Sequence, residues 1–261
     1  MKLAERVSLV TGAGRGMGAR YALALAAQGA AIVVNDVEEN KAANTAKKIT
    51  DSGGTALAVG GDVSRKSEVD VMIDRVVKTF GKLDILINNA GVNPFILPAE
   101  RVKEQGWDQV MDVNLKGVFL CCQAVFPIMK DKGGRIVNIA SQAGLFGEQG
   151  MLPYCVSKAG VLALTRVLAY EWSKYNIRVN AVAPGFIAEG MNQPILGKTA
   201  LVSAIAQRVP LKRFAKPEEV ASVVVFLCRD DADYINGATI TVDGGMTGYP
   251  TKPIIDLLRR K

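Results

Sequence analysis

VSLVTGAGRGMG, residues 7–18, runs a β-branched stretch into four alternating glycines, and its reading decides the fold. Val7, Val10 and Thr11 suit a strand, the glycines interrupt it, and the residues from Gly16 onward suit a helix. A strand that turns on glycine straight into a helix aims the helix's unpaired N–H groups and positive dipole end at one place. A pyrophosphate fits there. The frame is G-x-x-x-G-x-G on Gly12, Gly16 and Gly18. G-x-G-x-x-G from Gly12 would need glycine where Met17 stands, and a nucleoside-triphosphate loop would need G-K-[ST]. Arg15 adds a cation beside the loop, which suits a phosphate ligand.

A tight turn alone would also explain the glycines. Asp36 weighs against that bare reading, because it ends the next β-branched run, eighteen residues after Gly18. A carboxylate in that register accepts hydrogen bonds from adenosine ribose hydroxyls and repels a 2′-phosphate. NAD is therefore the expected cofactor, with NADP second, and Arg15 is expected on the pyrophosphate side or in solvent.

Working outward, β-branched runs recur at 7–11, 31–35, 55–61, 84–89, 135–141, 177–183 and 239–243. Helix-like stretches lie between them at 16–28, 38–51, 64–80, 107–131, 153–174 and 217–228. This alternation predicts an α/β fold, a Rossmann-like doubly wound parallel sheet with helices on both faces, in a single domain over 1–261. Pro217, Glu218 and Glu219 suit a helix's first turn, and Asp131 to Gly134 suits a helix stop. Residues 185–210, broken by glycines and prolines, read as a substrate lid.

The 261 residues are 49% apolar, carry a formal charge of +7 and include four cysteines and no histidine. Cys121, Cys122, Cys155 and Cys228 have neither metal-ligand nor disulfide spacing, so no metal is expected. Glu5 and Arg6 stand where a signal peptide would need its apolar core, and no uninterrupted apolar run is long enough for a bilayer, so a cytoplasmic protein without membrane contact is expected. Basic residues are scattered apart from Arg259 to Lys261, which argues against a nucleic-acid partner.

Without histidine, proton transfer needs another group. YCVSK (154–158) places Lys158 one helical turn from Tyr154, where an ammonium would lower the phenol pKa. YEWSK (170–174) repeats the spacing with Tyr170 and Lys174. The two tyrosines would be ~160° apart around one helix and ~24 Å apart along it, so one of them is a decoy. Tyr154 begins its helix just after a strand, at the edge where parallel sheets bind ligands. Ser141, at that strand's end, offers a hydroxyl for a substrate oxygen, and Tyr170 is expected to pack with Trp172.

Taken in order, the glycine loop, Asp62-Val63, Asn88-Asn89-Ala90-Gly91, Asn114, Ser141, Tyr154 with Lys158, and Pro184-Gly185 resemble the classical short-chain dehydrogenase/reductase family over nearly the whole chain. The resemblance implies a seven-stranded sheet and reversible hydride transfer between nicotinamide and a secondary alcohol or ketone. It implies Tyr154 as acid or base, Lys158 lowering its pKa and binding the nicotinamide ribose, Ser141 holding the substrate oxygen, and Asn114 in a water-linked relay. Asn114 could equally satisfy a neighbouring backbone group.

Cofactor contacts are implied at Gly12, Arg15, Gly16, Met17, Gly18, Asp36, Asp62, Val63, Asn89, Ala90, Gly91, Pro184, Gly185 and Ile187, besides Tyr154 and Lys158. Glu189 stands where many members place a threonine that holds the carboxamide. The stretch before Tyr154 departs from the pattern of 3-oxoacyl-carrier-protein reductases, while DGGMTGYP (243–250) resembles the ending of sugar dehydrogenases. A sugar, polyol or cyclic alcohol is therefore the first substrate reading, contacted by Asn93, Gln142, Phe146, Glu148 and Met191. The alternative is an NADPH-dependent 3-oxoacyl-carrier-protein reductase, with Lys130, Lys132 and Arg135 offered to an acidic carrier. A non-catalytic dinucleotide sensor is the remote reading. A homotetramer is expected through the long helices at 107–131 and 153–174, since VFLCCQAVFPIM is apolar on several faces.

Overall fold

Strands buried on both faces favour near-continuous apolar runs, and the seven runs become seven strands in the computed structural model, which describes residues 2–248. These are β1 (Val7–Val10), β2 (Ala31–Asp36), β3 (Ala56–Gly60), β4 (Ile85–Asn88), β5 (Gly134–Ile139), β6 (Ile177–Pro184) and β7 (Thr239–Val242). The helices are α1 (Gly16–Ala26), α2 (Glu39–Asp51), α3 (Lys66–Phe80), α4 (Glu104–Met111), α5 (Gly117–Met129), α6 (Leu152–Trp172), α7 (Gln193–Leu196), α8 (Thr199–Arg208) and α9 (Pro217–Leu227). The Arg259 to Lys261 run and the last two residues of DGGMTGYP lie outside the described residues.

All neighbouring strands pair in parallel, in the order β3-β2-β1-β4-β5-β6-β7. The order reverses direction between β1 and β4, and there the sheet opens a crevice beyond its C-terminal ends. Side chains alternate between two cores. Leu9, Val33, Leu86 and Ile136 face Val69 and Met72 of α3, Val118 and Cys121 of α5, and Val161 of α6. Val10, Ile32, Ile87 and Val137 face Tyr21 and Leu25 of α1, Ala42 of α2 and Val220 of α9. Trimming Leu9, Ile32, Leu86 or Ile136 to alanine would cost about 2–5 kcal/mol.

Element ends follow the expected chemistry. Gly133, at φ +79°, stops the helix before β5, its N–H donating to Met129 O at 2.7 Å. Pro217 opens α9, and Glu219 accepts from the Lys216 N–H at 2.7 Å.

Two expectations are corrected. The helix read at 107–131 begins at Glu104 and is broken by a π-helical turn, Asp112–Lys116, between α4 and α5. In addition, helical segments Glu104–Met129 and Leu152–Tyr175 are long and apolar enough to cross a membrane by length and composition. Burial against the sheet accounts for part of that apolarity: Cys121, Cys122, Val125 and Met129 of the first, and Val161 and Leu162 of the second, belong to the core, while Phe119 and Val167 are exposed. Residues 185–210 are more ordered than their glycines and prolines suggest, forming α7 and α8.

Candidate active site

The glycine loop holds its shape because larger residues would not fit. A Cβ on Gly12 would lie 2.8 Å from Ala90 Cα, at a φ of +59°, and one on Gly18 would lie 2.2 Å from Gly12 O. Thr11 Oγ1 accepts from the N–H groups of Asn89 and Ala90 at 3.0 and 3.1 Å, and Asn89 Nδ2 donates to Thr11 O and Gly12 O. Asn89, expected beside the cofactor, thus spends its amide on the loop. Among the described residues no side chain caps α1, whose N-cap is Arg15, so the first N–H groups of that helix are donors for an anion.

Asp36 ends β2 only 8% exposed. Its Oδ2 accepts from Gly14 N–H at 3.0 Å and its Oδ1 from Glu38 N–H at 3.1 Å. Neither contact cancels its charge, and among the described residues no ion pair reaches it. Arg15 is exposed, with no ion pair of its own among those residues. Asp62 Oδ1 accepts from the Ser64 N–H and hydroxyl at 2.9 and 2.8 Å, and Val63 packs against Gly117. Both follow β3 at the same sheet edge as Ala90 and Gly91 after β4. Pro184 ends β6 there, and the Gly185 N–H is tied to Val242 O at 3.0 Å. Ile187 is buried and bridges to Ala215. Met17 lies against Gly190.

Strand β5 delivers Ser141 just past its end, and the first turns of α6 deliver Tyr154 and Lys158 to the same edge. Tyr154 is 9% exposed and Lys158 only 3%. Lys158 Nζ donates to Ile139 O at 2.7 Å and stands 5.7 Å from the Tyr154 ring centroid. Burial pushes the Lys158 pKa down to about 8. The tyrosine departs from expectation, because burial raises its phenol pKa and only the Ser141 hydroxyl pulls it back. The ammonium is turned to the Ile139 carbonyl instead, and desolvation disfavours the phenolate.

Asn114 sits in the π turn, fully buried. Its Oδ1 accepts from Val92 N–H at 2.8 Å, and its Nδ2 donates to Val92 O at 2.9 Å and Ser157 Oγ at 3.3 Å. A Cβ on Gly91 would lie 3.4 Å from Asn114 Oδ1 and 3.6 Å from Lys158 Nζ, so the three converge.

With this geometry in view, the likenesses of the chain are consistent. The family model for enoyl-(acyl carrier protein) reductase matches residues 12–247. The chain is 44% identical over 250 residues to a 3-oxoacyl-[acyl-carrier-protein] reductase of Synechocystis, covering 95% of this chain and 99% of that protein. A short-chain dehydrogenase/reductase of Mycobacterium marinum superposes with a TM-score of 0.89 at 33% identity, covering 94% of this chain and 97% of that one. A gluconate 5-dehydrogenase of Burkholderia cenocepacia, solved with NADP and tartrate, superposes with a TM-score of 0.91 at 35% identity, covering 95% and 97%.

The chain belongs to the short-chain dehydrogenase/reductase family. It is an NAD(P)-dependent oxidoreductase acting on a CH–OH or keto group. The uncapped N-terminus of α1, the glycine cradle that a Cβ would fill and the carboxylate of Asp36 all fit a dinucleotide.

Other expectations for this short-chain dehydrogenase/reductase need correction. Tyr170 does not pack with Trp172. It is 86% exposed, because two residues on a helix stand ~200° apart. Trp172 stacks on Phe126 at 4.8 Å, and Tyr175 meets Phe126 edge-on at 5.1 Å. Glu189 is held by Arg20, Oε2 to Nε at 2.8 Å, and Glu148 by Arg208 at 2.8 Å. Sequence gave no signal for either pair, whose members lie far apart along the chain. Arg135 is spent on Asp230 and Asp233. Of the residues expected at the substrate, Gln142 is buried, with Oε1 beside Gly185 and Asp243 and no partner among the described residues. Asn93 and Phe146 are half-buried and Met191 is exposed.

Proposed function

We propose that this enzyme reduces a 3-oxoacyl thioester, presented on an acyl carrier protein, to the 3-hydroxyacyl thioester. The observation that carries this reading is 44% identity to the Synechocystis 3-oxoacyl reductase over 95% of the chain. It replaces the sugar or polyol reading as the first choice. The polyol reading stays second, supported by the likeness to gluconate 5-dehydrogenase.

In this reading Ser141 Oγ holds the keto oxygen against Tyr154 Oη. The burial that raises the phenol pKa keeps it protonated at neutral pH, so it is ready to give that oxygen a proton. The nicotinamide, when bound, supplies the hydride. Lys158 keeps donors beyond its bond to Ile139 O for ribose hydroxyls, and takes part as a cation below about pH 8. Asn114 acts first as a brace, fixing Val92 and hence the segment after Gly91, and a water relay through it is secondary. Asp36 makes NADH the better-bound cofactor, since its uncompensated charge opposes a 2′-phosphate, and Arg15 admits NADPH as the second.

Residues 185–210 serve as the lid of a single catalytic domain. Lys130 and Lys132 follow α5 at the edge where β5 begins, opposite Tyr154, so they cannot bring a carrier to the site of their own subunit. Exposed Arg101, Lys103 and Lys198 lie beyond the strands' C-terminal ends and suit an acidic carrier better. The enzyme works in the cytoplasm as a homotetramer, with the exposed apolar groups Phe119 of α5 and Val167 of α6 covered between subunits.

The test compares acetoacetyl thioester on acyl carrier protein, its pantetheine analogue, and gluconate, following nicotinamide absorbance. Turnover of the carrier-bound thioester above the analogue supports the proposal. Turnover of gluconate alone overturns it in favour of the polyol reading.

A further inference from the structure

The carboxylate of Glu189 is an unexpected group to find against a dinucleotide cradle. Its residue opens the short 3-10 turn Gly190–Asn192, just before the helices of the 185–210 segment. That turn rests on the glycine loop. A Cβ on Gly16 would lie 3.3 Å from Gly190 Cα, and one on Gly190 would lie 3.6 Å from Met17 Cγ. Gly190 itself has φ +69°, so any other residue would strain the close approach. The carboxylate therefore stands near the N-terminal turn of α1, whose uncapped N–H groups are the anion-binding donors.

Arg20 is one turn further along α1. Side chains on a helix lean toward its N-terminus, and the Arg20 guanidinium leans the same way to meet Glu189 Oε2 at 2.8 Å. Glu189 is the less exposed partner, at 21% against 47% for Arg20. The pair bridges residues 169 positions apart, and no backbone hydrogen bond joins the 3-10 turn to α1.

We infer that Arg20 and Glu189 are positioning residues that fasten the 189–192 turn over the cofactor cradle, and that Arg20 also cancels a carboxylate that would otherwise repel the pyrophosphate. The inference rests on the dinucleotide reading of the cradle. Two consequences separate fastening from charge cancellation. Losing Glu189 only loosens the turn, whereas losing Arg20 loosens it and leaves a bare anion beside the phosphate site. An exposed pair is weak, so the first effect is small. The second acts over a short distance on a doubly charged ligand, so it is larger.

The experiment measures NADH binding by calorimetry and its release by stopped-flow fluorescence, for the unaltered protein and for Arg20→Gln, Glu189→Gln and the double variant. Glu189→Gln is expected to raise the NADH off-rate about threefold. Arg20→Gln is expected to weaken NADH binding about tenfold, and adding Glu189→Gln to it should return affinity to that of Glu189→Gln alone. Added potassium chloride should speed release from the unaltered protein more than from the double variant. Thermal melts of each variant separate these effects from loss of folding.

An Arg20→Gln protein that melts normally and binds NADH as the unaltered chain does would overturn the inference. So would a double variant as weak as Arg20→Gln. Should any Arg20 variant fail to fold, the salt dependence of release decides alone, and a release rate indifferent to salt rejects the clasp. Failure of the unaltered protein to bind NADH or NADPH would instead strike the dinucleotide reading.

Discussion

Lys158 Nζ gives a hydrogen to the carbonyl oxygen of Ile139 at 2.7 Å while standing 5.7 Å from the ring centroid of Tyr154. The last residue of β5 thereby fixes the cation that the first turns of α6 carry. With the pKa of Lys158 pushed down to about 8 by burial, its charge is present below that pH and lost as pH rises through it. The kcat/KM for NADH, which reports groups of the free enzyme, should therefore fall above about pH 8. Lys158→Met should flatten that limb at a low rate throughout. The same depression means that the unfolded chain holds a proton on Lys158 between about pH 8 and the ordinary lysine value of 10.5. Folding stability from this group thus rises across that window.

Tyr154→Phe should lower turnover about 10²- to 10⁴-fold, the usual worth of a placed acid, while NADH binding by calorimetry stays within a few-fold. Tyr170→Phe should leave turnover unchanged, because that ring stands in solvent at the far end of α6. Equal losses from both would remove the distinction.

Asn114→Ala should destabilise before anything else. The substitution strips partners from the Val92 N–H and C=O. A loss of about 2–3 kcal/mol is expected, or a Tm lowered by about 5–10 °C. A variant that melts normally but turns over slowly would instead make Asn114 chiefly a relay.

Asp36→Asn keeps an acceptor for the Gly14 N–H and removes the charge. Its ratio of NADPH to NADH affinity should rise about tenfold, measured by titration with each cofactor. An unchanged ratio would mean that Arg15 decides the preference.

Val167→Glu places a charge on an exposed, apolar position of α6. Light scattering should show a tetramer for the unaltered chain and a smaller species for the variant. A monomer in both would remove the proposed assembly.

The parallel sheet was legible because strands buried on both faces are nearly continuous apolar runs, as Ile85 to Ile87 are throughout and Val7 to Val10 are except at Ser8. The meeting of Tyr154 and Lys158 was legible because spacing one turn apart puts them on one helix face, and strand order puts that face at the ligand edge. The π turn around Asn114 was not, since an asparagine within a helical pattern carries no local mark of an extra residue in the turn. Tyr170 was misplaced because the expectation paired it with Trp172 by nearness in sequence, and a helix sends such neighbours to opposite sides.

The sequence by itself therefore determined the sheet, the glycine cradle, the carboxylate of Asp36 and the placing of Tyr154 at the ligand edge, all set by periodicity and spacing within short stretches. Only the tertiary structure decided what those groups touch. Asn89 belongs to the loop, Lys158 faces Ile139, Arg135 is consumed by Asp230 and Asp233, and Glu189 is answered by Arg20. Hydrogen bonds and ion pairs act over a few ångströms. Which residues come that close from opposite ends of a chain is settled by how its layers pack.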